Sequence, residues 1–99
     1  MYTRDYLIEK FKAAITILAI GEGDARSRIG PAYYCFWHIP SEDYPVDLRE
    51  DVLWITKMLT RLKGREGYVI ADNLRRMKNK TASKIARRML DIYLELAKK

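Results

Sequence analysis

Between residues 75 and 88 stand seven basic side chains and no acid: Arg75, Arg76, Lys78, Lys80, Lys84, Arg87 and Arg88. Clustered cations neutralise the phosphates of a nucleic acid or the carboxylates of an acidic partner. Thr81 and Ser83 lie within the run, and small hydroxyls often donate to phosphate oxygens. Asn73 and Asn79 flank or interrupt it; Asn can read adenine, but at helix ends it is more often a cap. At helical spacing Arg76, Lys80, Lys84, Arg87 and Arg88 share roughly one side. A DNA- or RNA-binding face here would use Arg75, Arg76, Lys80, Lys84, Arg87 and Arg88. Two helices joined by a tight turn also echo a helix-turn-helix. The plainer alternative is the solvated side of an amphipathic helix.

Other reactive residue types are scarce. The only cysteine and the only histidine, Cys35 and His38, stand three apart. Both types ligate zinc, but a site needs three or four ligands and no second Cys or His exists. A Cys–His nucleophile pair would also lack a third group to orient the base. Their flanks, Tyr34, Phe36 and Trp37, suggest a structural pair. Asp47, Glu50 and Asp51 could flank a reacting bond or hold Mg²⁺. They also sit where a helix N-terminus favours acids, which is the stronger reading. Glu42 and Asp43 read as a solvated turn. Gly21-Glu-Gly lacks the Lys-Ser/Thr ending of a phosphate loop, and no nucleophile elbow or His-Glu-x-x-His is present. The sequence therefore points to no enzyme, no cofactor and no metal.

The block Tyr33-Tyr34-Cys35-Phe36-Trp37 carries a different kind of chemistry. Consecutive residues on a helix cover every face, and a thin core cannot bury all of them. Leu53 and Trp54 add to the excess. Tyr, Trp and Phe are enriched at interfaces. The expected subunit contact is Tyr33, Tyr34, Phe36, Trp37, Leu53 and Trp54, in a homodimer that completes its core with a second copy.

What positions these residues is helical throughout. The chain has 99 residues, 48% of them hydrophobic and 32% charged, enough for one globular domain over 1–99. A monomer of 11.7 kDa would fold to a surface of ~5,900 Å². No segment alternates with a period of two. A first helix is expected over Arg4–Ile20, capped by Thr3, with Tyr2 stapled on Leu7, a stripe of Leu7, Phe11, Ala14, Ile15 and Leu18, and Gly21 at positive φ as its stop. A second starts after the N-cap Asp24 and carries the aromatic block up to Pro40, with Pro31 either kinking it or starting a new helix. A third spans Val46 to Leu62 on Leu48, Val52, Ile55, Leu59 and Leu62. Residues 63–67 should be the most flexible connection. The last third reads as helices over about 68–78 and 81–97, broken near Asn79–Thr81 with Thr81 as cap. The expected fold is an all-α bundle of about five helices.

Charge is divided along the chain. Residues 1–56 hold 6 Lys/Arg against 9 Asp/Glu, a net −3. Residues 57–99 hold 13 against 4, a net +9. Such asymmetry fits nucleic acid, an acidic partner, or two subunits meeting acidic end to basic end. The charged first helix does not read as a signal peptide, and Ala13–Ile20 is too short to span a bilayer. With its lone cysteine the protein is expected in a reducing cytoplasm. The segments Gly21-Glu-Gly-Asp24, Leu48-Arg-Glu-Asp51 with Trp54-Ile55, and Met77-Lys-Asn-Lys-Thr-Ala82 with Lys84-Ile-Ala86 resemble those of a set of small helical bacterial proteins. That resemblance implies a bacterial single-domain helical protein and no site residues. The reading as a whole is a non-catalytic interaction or regulatory module acting as a homodimer, with nucleic-acid binding by residues 75–88 as the alternative.

Overall fold

The chain begins with a well-signalled helix. Thr3 Oγ1 accepts the backbone N–H of Tyr6 at 3.2 Å, and from there Leu7, Phe11 and Ala14 turn into the core. The computed structural model describes residues 1–98. Among them are five α-helices and no strand: α1 (Arg4–Ile20), α2 (Ala25–Tyr33), α3 (Val46–Thr60), α4 (Val69–Arg76) and α5 (Asn79–Ala97). A single 3₁₀ turn, Ser41–Asp43, precedes α3.

The longest helix, α5, is the spine. Its buried residues Ala82, Ile85, Met89, Ile92 and Leu96 follow the helical period, and it packs on α1, α2 and α3. Helix α1 lies antiparallel to it: Arg4, at the start of α1, donates to the carbonyls of Leu96 and Glu95 at the end of α5, at 3.1 and 3.2 Å. Arginine thus satisfies carbonyls that the helix end leaves without partners. Helix α3 closes the other side with Leu48, Val52, Ile55 and Leu59. The molecule measures 37 × 26 × 19 Å. Its thin dimension is about two helix diameters, so most helices keep one side on solvent. Among the described residues no helix is long and apolar enough to cross a membrane.

Several expectations are corrected. Gly21 ends α1 at φ −64°, an ordinary extended conformation, while Gly23 takes the positive φ of 83°. Gly21 is needed for space instead, because a Cβ there would lie 2.6 Å from the Ile17 carbonyl oxygen and 3.1 Å from Arg28 Cγ. Tyr2 stacks on Tyr6, with centroids 4.5 Å apart, in place of the expected staple on Leu7. Helix α3 stops at Thr60, and Leu62 is left 40% exposed. The break in the last third falls at Met77–Lys78. Helix α5 therefore starts at Asn79, with Lys78 at its N-cap position and Thr81 already inside it.

Helix α2 contains Pro31 and ends at Tyr33, so the aromatic block does not ride on a continuous helix to Pro40. The chain tightens into successive i→i−3 hydrogen bonds: Cys35 to Ala32, Phe36 to Tyr33, and Ile39 to Phe36. A period of three replaces 3.6 and sorts the block into rows. Tyr33, Phe36 and Ile39 form the row that enters the core. Tyr34 and Trp37 form a second row on the surface, 52% and 59% exposed.

The connection after α3 is tied down rather than free. Asn73, buried on α4, accepts the Leu62 N–H at 2.9 Å and donates to the carbonyls of Leu62 and Val69 at 2.9 and 2.8 Å. Its neighbour Asp72, also buried, accepts from the Arg65 backbone N–H and from both Nε and Nη2 of its guanidinium. These donors, with Arg75 at 3.3 Å, hold the Asp72 carboxyl well below the usual carboxylate range against the opposing effect of burial. Gly64 allows the close pass, since a Cβ there would meet Val69 Cα at 3.0 Å.

Candidate functional site

Two surfaces emerge from this frame, one aromatic and one basic. The aromatic one is built where the tightened turn after α2 meets the start of α1. Trp37 lies edge-on to Tyr34 and to His38, each at 6.5 Å between centroids. His38 continues the row to Tyr2 at 5.5 Å and to Tyr6 at 6.0 Å. Tyr6 Oη and His38 Nε2 share a hydrogen bond of 2.8 Å, and Lys10 Nζ lies 5.2 Å over the Tyr6 ring. The Tyr2 backbone N–H donates to Asp43 Oδ2 at 2.8 Å, which pins the ring pair against the 3₁₀ turn. Five rings thus form a ridge whose outer members, Tyr34, Trp37, His38 and Tyr2, face solvent.

The six residues expected at a subunit contact are divided by this arrangement. Tyr33 and Phe36 belong to the chain's own core: Phe36 stacks on Phe11 at 4.2 Å, and Tyr33 Oη meets Thr56 Oγ1 at 3.0 Å. They are not available to a second copy. Trp54 is half-buried beneath Arg88, whose Cζ lies 4.3 Å from the ring centroid. Leu53 is exposed on α3. Tyr34 and Trp37 remain on the surface. Sequence reasoning missed Tyr2, Tyr6 and His38. The i, i+4 spacing of the two tyrosines, off the buried stripe of α1, was the available signal.

The basic run is divided too. Arg75 pairs with Asp72 at 3.3 Å, Arg87 with Asp91 at 3.0 Å, and Arg88 with Asp51 at 2.8 Å. Of these only the Arg88–Asp51 pair joins the acidic part of the chain to the basic part; the other two lie within the basic part. Arg76 donates to the Lys63 carbonyl at 3.3 Å. Lys78, Lys80 and Lys84 are exposed and form no ion pair among the described residues. Arg61 and Lys63, outside the run in sequence, are likewise exposed and unpaired among the described residues. Arg61, Arg76 and Lys78 line one cleft of about 200 Å³, together with Thr81, Met58 and Met77.

Cys35 and His38 take separate partners. Cys35 Sγ points to the Pro31 carbonyl at 3.6 Å, and burial pushes its thiol up, away from the thiolate a nucleophile needs. Of the acids opening α3, Asp51 is committed to Arg88, while Asp47 and Glu50 face solvent. Among the described residues no three His, Cys, Asp or Glu side chains gather as metal ligands would. Compared with protein-family models, curated proteins and solved structures, the chain matches none.

Proposed function

We propose that the protein is a non-catalytic interaction module that joins a second copy of itself through the aromatic ridge. One observation carries the reading: Tyr34, Trp37, His38 and Tyr2 form a connected, solvent-facing row of rings. Rigid aromatic side chains supply contact area at small entropic cost, and Trp and Tyr dominate the energetics of interfaces. The extent of the surface supports it as well. At 6502 Å² it is roughly a tenth larger than a monomer of this mass should expose. The excess is comparable to one partner's share of a small interface. The absence of a chemical role fits the partners found for Cys35 and His38, and the lone cysteine fits a reducing cytoplasm.

Light scattering decides the matter. The unaltered protein should run at twice its chain mass of 11.7 kDa in both low and high salt. Trp37→Ser combined with Tyr34→Ser should return the mass to that of one chain without loss of helicity. A wild-type mass of one chain at high protein concentration, or a double variant that remains dimeric, would overturn the proposal.

A further inference from the structure

From the distribution of unpaired cations we infer a second, separate binding surface: the corner where α3 ends and α5 begins takes the sugar–phosphate backbone of a nucleic-acid duplex, without regard to sequence. Three cations of this corner differ from the ion-paired arginines. Arg26, Arg65, Arg75, Arg87 and Arg88 each face a carboxylate of their own chain. Arg61, Arg76 and Lys78 line one cleft, and no carboxylate lines it with them. Like charges brought together without a counter-ion repel, so this corner is less favourable in the free protein than a neutral one would be.

The start of α5 sharpens the point. A helix N-terminus is stabilised by an acid in its first turn and by an Asp, Asn, Ser or Thr at the cap. Here the cap position is Lys78, whose side chain makes no capping bond, and Lys80 follows within the first turn. Both preferences are reversed where the free cations gather. A bound anion satisfies the cations and the free N–H groups together. The surface then continues along α5, because Lys80 and Lys84 stand one turn apart, ~6 Å along the axis. A row of charges extending from a cleft suits a polyanion better than a single phosphate. No aromatic side chain lines the cleft, which removes the stacking platform that single strands use and favours a duplex backbone.

The test is fluorescence anisotropy with a labelled random-sequence duplex of 20 base pairs at several salt concentrations. Binding should weaken linearly on logarithmic axes, and Arg61→Gln, Arg76→Gln and Lys78→Gln should each flatten the slope by ~0.9. At 0.1 M salt each should also lower affinity about fivefold to tenfold. Arg87→Gln, whose parent side chain is already paired, should change neither. Lys78→Asp gives an opposed pair of readouts: it restores a cap and an acid to α5, so the melting temperature should rise while duplex binding is lost. The inference is overturned if the duplex does not bind at 50 mM salt. It is equally overturned if Arg87→Gln weakens binding as much as the cleft variants, or if polyglutamate competes as well as unlabelled duplex.

Discussion

Residues 33–39 and residues 75–88 are both runs of one chemical type, and the fold divides each of them, the aromatic run between core and surface and the basic run between ion-paired and unpaired side chains. The means differ. In the aromatic run the division is geometric: a turn with a period of three sends Tyr33, Phe36 and Ile39 inward and leaves Tyr34 and Trp37 outside. In the basic run the division is electrostatic. Arg75, Arg87 and Arg88 are drawn to Asp72, Asp91 and Asp51, and Lys78, Lys80 and Lys84 have no such partner among the described residues. Residue type alone does not assign a side chain to the core or to a surface. Backbone period does it for rings, and for cations the placement of carboxylates does it, two within a helical turn (Asp72 and Asp91) and one from α3 (Asp51).

The sharpest break of the aromatic division compares two adjacent residues. Phe36→Ala should destabilise the protein by about 3–5 kcal/mol in urea unfolding, a large part of what a domain of this size has. Trp37→Ala, at an exposed position, should stay within about 0.5 kcal/mol in the same measurement at protein concentrations low enough for both proteins to be monomeric. Equal losses would mean that the rows are not separated as described.

A smaller effect tests the polar side. Asn73→Ala strips the partners from the Leu62 N–H and carbonyl, and should cost about 1–3 kcal/mol in urea unfolding. A negligible change would show that the loop after α3 is held by other means. Asp72→Asn should do less at neutral pH, because Arg65 and Arg75 are exposed enough to rehydrate. Its mark is in pH dependence. The Asp72 carboxyl is held below its unfolded value, so its contribution is present above about pH 4 and is lost as the pH falls further. The urea midpoint of the wild type should fall between pH 5 and pH 2 more steeply than that of Asp72→Asn. Parallel acid limbs would contradict the hydrogen-bonded arrangement.

Much of the architecture was legible in the residues. Thr3, Asp24 and the stripes of α1 and α3 follow local rules of capping and period, so α1, α2 and α3 start as expected. The misses share a cause, which is competition between local preference and tertiary contact. Thr81 is a good cap by type, yet α5 begins two residues before it, at Asn79. Asn73 reads as a helix-end cap, yet it bonds a loop eleven residues away. Arg61 and Lys63 lie outside the basic run in sequence, and only the return of the chain through α4 brings Arg61 beside Arg76 and Lys78. The aromatic ridge was half visible: its Tyr34–Trp37 part lies in one segment, while Tyr2 and Tyr6 reach it from the other end of the α1–α2 hairpin.

The contact between Arg4 and Leu96 spans 92 positions of the chain, whereas Asp72 reaches Arg65 across 7 and Asn73 reaches Leu62 across 11. Loop closure grows harder with length, so these two kinds of contact belong to different stages of folding. The turn between α3 and α4 can organise from its own neighbourhood. The docking of α1 on α5 must wait for the whole chain to come round. In hydrogen exchange the α3–α4 corner should therefore open as a local unit, while the facing surfaces of α1 and α5 exchange only when the entire molecule unfolds.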